Sequence, residues 1–390
     1  MKILFLHEVG YLEKPIFEMH EFPEYLAKKG HLVAFADYPE TRIRDSNQTF
    51  GSYVEGRVLS DVKLKLYSQR SMAPGILGRL LAALFFPIFL QRVLRDFKPD
   101  LVVSFAVPTS GWQTALFCRV TGLQFVFRAL DVSHKIRRSF FAPIVRIAEK
   151  IVYSRAAWVS CNNPAMAEYC ISLGAKREST SVEYPPLDLS HFLTIETKRD
   201  IRRELGIWPE SRVILYMGSF FYFSGLAEVL RGLALLKDKP QLVLVGGGEQ
   251  EAELRRIAKG LQLEEFVTFT GFVEFEELPA YLSIADVAIN PMAPSLVSHK
   301  ALPNKVLQYM ASGLPVVTTH LDGLSSVFSE AEGIHTVSDS EMVLTAAMEM
   351  LDLPGLGRIG ESNRLLVASK FDVTQSVDFF EERLIGLGGS

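Results

Sequence analysis

The chain has 390 residues, 48 % of them hydrophobic and 22 % charged, with a formal net charge of −4. That length is too great for one ordinary core and suits two domains of about 150–200 residues each. The composition is that of an ordinary globular protein, and no nucleic-acid partner is expected. Three scattered cysteines, Cys118, Cys161 and Cys170, have no metal-ligand spacing and no disulfide framework, which points to a reducing, cytoplasmic setting. The net charge hides an asymmetry. Residues 1–190 carry 24 Lys and Arg against 18 Asp and Glu, and residues 191–390 carry 17 against 27. Within 41–155 the balance is 18 against 7, so an anionic membrane surface or a phosphate-bearing partner is expected there.

In chain order, residues 3–6 form an apolar run that His7 and Glu8 end. It is too short for the apolar core of a signal peptide and reads as a buried first strand. Gly10 and Tyr11 follow on a loop. A helical stretch over 17–29, carrying Glu18 and His20, stops at Gly30 before a strand at 32–36. Residues 76–90 (ILGRLLAALFFPIFL) are 15 long and include Arg79 and Pro87, short of the roughly 20 apolar residues of a membrane span. Arg92, Arg95 and Lys98 come next. Two readings stay open: a helix lying on an anionic leaflet, and a buried crossover helix. Strands at 101–104, 125–127 and 158–160 continue the alternation. Arg128 and Asp131 follow the second of these, with His134 three residues on. Tyr184-Pro185-Pro186 cannot continue a helix, so 184–192 is the expected linker.

The rhythm restarts with strands at 213–217, 241–245, 267–270, 287–290 and 315–318. The fold class is therefore α/β, with two doubly wound domains facing across a cleft and ligands beyond the carboxyl ends of the strands. The expected division is 1–185, with a helix over 372–390 returning to it, and 193–371. The first strand of the second half runs into Gly218-Ser219, and Ser224-Gly225-Leu226 opens a helix. Free amides and the helix dipole at such a turn favour an anion. The second strand ends in Gly246-Gly247-Gly248, which lets a ligand approach the backbone; the G-x-G-x-x-G dinucleotide spacing is absent. Gly271-Phe272-Val273 follows the third strand. Then Pro303-Asn304-Lys305-Val306-Leu307-Gln308 opens a helix with Lys305 and Gln308 on one face.

This ordered set, over most of 205–385, resembles the nucleotide-sugar domain of retaining family 4 (group 1) glycosyltransferases, which have the GT-B fold. The resemblance implies a donor site formed by Gly218, Ser219, Ser224, Gly247, Gly248, Phe272, Val273, Asn304, Lys305, Val306 and Gln308. Gln308 and Lys300 stand where many relatives have glutamates for the ribose and the transferred sugar. Ser219 and Ser224 stand where many have Arg and Lys on the diphosphate. Lys305 is then the first choice for a cation on the donor phosphates, followed by Arg128 or His134. Asp131 matches an acidic position lining the sugar site, and it also suits a helix N-cap. Gly10, Tyr11, Glu18 and His20 lie where the fold places acceptor contacts. No D-x-D motif is present, so neither metal nor cofactor is expected. The implied activity is transfer of a sugar from a UDP- or GDP-linked donor, with retention, onto a glycan or lipid-linked acceptor, in the cytoplasm or peripherally on the inner face of the membrane. A nucleotide-sugar 2-epimerase and a silent sugar-nucleotide-binding subunit remain open alternatives.

Overall fold

The structure, a computed structural model, describes residues 1–38, 50–69, 75–107, 109–133, 142–193, 200–328 and 333–388. The chain divides into two units, Met1–Pro186 with Thr374–Ser390, and Leu187–Val373.

The first unit is built on eight strands: β1 (Lys2–Leu6), β2 (Leu32–Asp37), β3 (Ser52–Glu55), β4 (Lys63–Ser68), β5 (Leu101–Ser104), β6 (Gln124–Ala129), β7 (Trp158–Cys161) and β8 (Thr180–Val182). They are ordered β3-β4-β2-β1-β5-β6-β7-β8. Every pair is parallel except β3 with β4. Ile3, Leu4 and Phe5 are wholly buried, as are Leu101, Val102 and Val103. Continuous apolar runs of this kind mark strands covered on both faces. The helix Glu18–Lys28 joins β1 to β2, Gly111–Thr121 joins β5 to β6, and Ala142–Arg155 leads to β7.

The apolar segment read as 15 residues lies inside a longer helix, Gly75–Phe97, of 23 residues. One of its faces is buried, as a crossover helix requires, and the other is exposed. Ala82, Phe86, Leu90, Val93 and Phe97 are buried, whereas Leu77, Leu80, Leu84 and Ile88 are exposed.

The second unit holds β9 (Val213–Met217), β10 (Gln241–Val245), β11 (Val267–Gly271), β12 (Val287–Asn290), β13 (Val316–Thr319) and β14 (Ile334–Val337), all parallel, ordered β11-β10-β9-β12-β13-β14. The order reverses between β9 and β12, which opens a crevice beyond their carboxyl ends. The loops leaving β9 and β12 therefore border the natural ligand position of this sheet.

The last helix, Val373–Gly388, belongs almost wholly to the first unit. Its Phe380 ring lies 4.3 Å from Phe22 and 5.2 Å from Trp158. Lys29 and His31 hold Glu381 at 2.7 and 2.6 Å. Leu187, at the start of the second unit, pairs with the stretch before that helix: its N–H donates to the Phe371 carbonyl at 2.9 Å, and Val373 N–H donates to the Leu187 carbonyl at 3.2 Å.

Candidate active site

The turn after β9 is laced to the turn after β10. Gly218 N–H donates to the Val245 carbonyl at 2.9 Å, and Phe220 N–H donates to the Gly247 carbonyl at 2.9 Å. Gly246 has φ +121°, and a Cβ there would stand 2.2 Å from the Gly218 carbonyl oxygen. Only glycine fits such a backbone crossing. The three glycines were expected to leave room for a ligand. At Gly246 and Gly248 that room is taken by the backbone of residues 218–220, since a Cβ on Gly248 would meet Phe220 N at 2.8 Å. The glycines fix the shape of the turn. Phe272, 73 % exposed, stands over Gly247, where a Cβ would lie 3.0 Å from its ring. Val273, next to it, is half-buried. Gly225 opens the helix Leu226–Leu235 in the left-handed region, and Ser224 before it is buried.

Against the Gly218 turn lies the first turn of the helix Asn304–Ala311. Lys305 Nζ donates to Tyr216 Oη at 2.8 Å and sits 4.1 Å above the centre of that ring. Tyr216 Oη in turn donates to the Ser219 carbonyl at 3.0 Å. A Cβ on Gly218, whose φ is +131°, would lie 3.1 Å from Lys305 Nζ. One turn along the helix, Tyr309 Oη accepts from Met217 N–H at 2.6 Å and fixes the helix to the end of β9. Asn304 and Gln308 are half-buried and Val306 is fully buried. Among the described residues no carboxylate bridges Lys305, and burial brings its pKa down to about 7. A cation at the positive end of a helix, beside amides with no intrahelical acceptor, is complementary to an anion.

A second charged group had no counterpart in the sequence reading beyond Lys300. Lys300 Nζ lies 3.1 Å from Asp322, and His299 and His320 each lie 3.6 Å from the same carboxylate. Burial alone would raise the Asp322 carboxyl, but Lys300 and the two histidines outweigh it and hold it below the usual range. Asp322 opens the helix after β13, 22 residues from Lys300, so no local spacing marked the pair. Among the described residues no group of three or more His, Cys, Asp or Glu forms a metal site.

In the first unit, four residues expected near an acceptor have partners inside the protein. Arg128 is fully buried. Its Nε donates to Glu18 at 2.7 Å, and Nη1 donates to Ser160 Oγ at 2.8 Å and to the Glu183 carbonyl at 2.7 Å. Glu18 is thus held against Arg128 and turned inward. Burial pushes its carboxyl up, with Arg128 opposing. Tyr11 is fully buried, and its hydroxyl donates to Glu24. His20 Nε2 lies 2.8 Å from the Tyr11 carbonyl, and burial lowers the His20 pKa to about 4. These contacts brace the 8–17 loop, and they replace the outward-facing roles expected of Arg128, Glu18, Tyr11 and His20. Gly10 is buried in the same loop. Asp131 stands exposed two residues beyond β6, and His134 lies outside the described residues. The sequence reading passed over Glu8. Its Oε1 accepts from Thr109 N–H at 2.6 Å and Ser110 N–H at 2.9 Å, at the reversal of strand order between β1 and β5.

Residues 19–191 match the model of Glycosyltransferase Family 4, and residues 211–352 match that of Glycosyl transferases group 1. The lipopolysaccharide core biosynthesis glycosyltransferase LpsE of Rhizobium meliloti is 27 % identical over 238 residues, 61 % of this chain and 60 % of that one. Other curated relatives align over 47–66 % of their own length. Among solved structures, sucrose-phosphate synthase of Thermosynechococcus elongatus superposes with TM-score 0.81 at 21 % identity, covering 99 % of both chains. HepE of Anabaena, solved in complex with UDP-glucose, gives 0.76 at 18 % identity, covering 99 % of this chain and all of that one. At such identities these likenesses show the fold, GT-B. Each half of the chain matches its own family model, and the chain belongs to the group 1, family 4 glycosyltransferases.

Proposed function

We propose that the chain transfers a sugar from a UDP- or GDP-linked donor to a hydroxyl of a glycan or lipid-linked precursor, retaining the anomeric configuration and using no cofactor. In that reaction the bond from the anomeric carbon to the diphosphate oxygen breaks, and the acceptor oxygen takes its place. The acceptor proton passes to the departing phosphate, so no dedicated base is needed. Charge developing on the diphosphate is met by Lys305, by the Ser219 amide of the Gly218 turn and by the first amides of the helix Asn304–Ala311.

The observation that carries the reading is Lys305, a cation without a carboxylate, braced by Tyr216 beneath the Gly218–Ser219 turn. HepE, which shares the fold, is described in complex with UDP-glucose, and LpsE is named for lipopolysaccharide core biosynthesis; both support this choice of donor and acceptor class. Loss of one such donor typically costs about 2.7–4 kcal/mol of barrier. Lys305→Ala should therefore lower turnover at least tenfold in a radiolabelled sugar-transfer assay, with an unchanged circular dichroism spectrum. Unchanged turnover would remove Lys305 from the mechanism. Donor binding without any transfer, across lipid-linked and glycan acceptors, would point to the silent binding subunit instead.

A further inference from the structure

The helix Gly75–Phe97 combines two properties that rarely coexist in a water-exposed helix. It is apolar enough along Leu77–Phe97 to pass as a membrane span, with mean hydropathy 1.6, yet only 28 % of that window is buried. A helix apolar on all sides is normally enclosed by protein or by lipid. Here one face is buried through Ala82, Phe86, Leu90, Val93 and Phe97. The opposite face shows Leu77 at 60 %, Leu80 at 55 %, Leu84 at 70 % and Ile88 at 59 % exposed. Their spacing of three and four residues keeps them in one stripe. Continuing the same spacing brings Arg92 and Arg95 onto that stripe, both exposed.

The stripe has basic and apolar neighbours. Gln113 Nε2, on the helix Gly111–Thr121, donates to the Ala83 carbonyl at 2.9 Å, and that helix packs in turn on Ala142–Arg155. These two helices expose Val120, Ile144 and Ile147 together with Arg119, Arg146 and Lys150. On the three helices the one exposed acid is Asp96, which Lys65 neutralises at 2.6 Å. Isolated exposed leucines are ordinary, whereas a contiguous apolar stripe continued by bases is not.

We infer that this face of the first unit docks on the surface of an anionic bilayer, with the Leu77–Ile88 stripe lying in the interface and Arg92 and Arg95 against lipid phosphates. The pairing of apolar burial with basic charge suits an anionic leaflet better than a second copy of this chain, whose equivalent face would carry the same positive charge. The inference is independent of the donor reading, because it rests on a different unit and is read without any sugar nucleotide.

The test is flotation of the full chain with vesicles of phosphatidylcholine plus phosphatidylglycerol, and with phosphatidylcholine alone, at low and high salt. The chain should float with the anionic vesicles, less so at high salt, and remain at the bottom with the neutral ones. Leu84→Glu with Ile88→Glu should weaken flotation about tenfold or more while leaving the melting temperature unchanged, since both positions face solvent. Arg92→Gln with Arg95→Gln should weaken it less and flatten the salt dependence. Flotation indifferent to both pairs of substitutions would overturn the assignment. So would a concentration-dependent dimer in sedimentation that the Leu84 and Ile88 changes abolish, which would make a second copy the occupant.

Discussion

An ammonium in a helix's first turn is opposed by the dipole and by the loss of water, and no acidic group among the described residues offsets either cost at Lys305. Burial accordingly leaves it near half-protonated at pH 7. A diphosphate bound there would restore the charged form. Affinity for UDP should fall as pH rises from 7 to 9, and calorimetry at pH 8 in buffers of different ionisation enthalpy should read uptake of about one proton. An affinity flat over that range would place the diphosphate elsewhere. Stability has the opposite sign. The folded pKa lies below the unfolded value, so the unfolded chain binds more protons between pH 7 and 10.5. The unliganded protein gains stability from this residue as pH rises through that window, and below pH 7 the penalty is fully present. Lys305→Met should therefore melt higher at pH 6, by about 2–4 °C per kcal/mol relieved, while losing UDP. The buried pair Glu18–Arg128 behaves differently. Arg128→Met strands a buried carboxylate and should cost about 3–5 kcal/mol in urea unfolding, most of it recovered when Glu18→Gln is added. Lys305 could be found from sequence because a proline and an asparagine at the start of its helix mark the motif that carries the family resemblance, although its partner Tyr216 lies 89 residues away. The role of Arg128 could not, because its partner Glu18 lies 110 residues away.

Strands whose burial on both faces writes a continuous apolar run, such as Val213–Met217 and Val287–Asn290, could be read from sequence, and so could the half-buried edge strand β11. Those that could not lie at or beside sheet edges. β3 and β14 keep polar or exposed positions, β8 is three residues long, and β4 alternates Lys-Leu-Lys-Leu with one face open. The long surface helix was underestimated for a related reason. The apolar run ends at Leu90, although Gln91 to Phe97 continue the helix with bases on its exposed face. Turn geometry was legible in the glycines but its purpose was not, because the crossing of residues 218 and 246 is a tertiary contact. Gly246→Ala must move the Gly218 carbonyl and adopt a left-handed backbone, so it should lower the melting temperature and abolish UDP binding together. Gly260→Ala, whose added Cβ would meet nothing within 4 Å, should leave UDP binding unchanged and the melting temperature equal or slightly higher. Loss of binding in both variants, or in neither, would remove the laced turns from the donor site.

For the whole molecule, the chain order matters because the first unit is discontinuous: it needs residues that follow the entire second unit. Phe380 is wholly buried against Phe22 and Trp158, and Glu381 bridges Lys29 and His31. Burial would raise the Glu381 carboxyl, but those two bases more than offset it and keep it below its ordinary range. A chain ending after Val373 should therefore lose a core aromatic, at about 3–5 kcal/mol for its removal alone, together with this ion pair. Its first unit should unfold at a lower temperature in calorimetry. The second unit, Leu187–Val373, keeps its own six-stranded sheet and core, so its transition should persist and should still shift upward with UDP. Supplying 374–390 as a separate peptide should restore part of the first transition, because the contacts of Phe380 and Glu381 do not depend on chain continuity. Two outcomes would contradict this account of the fold: a truncated chain that melts as the full one does, or one whose UDP-dependent transition is lost along with the first.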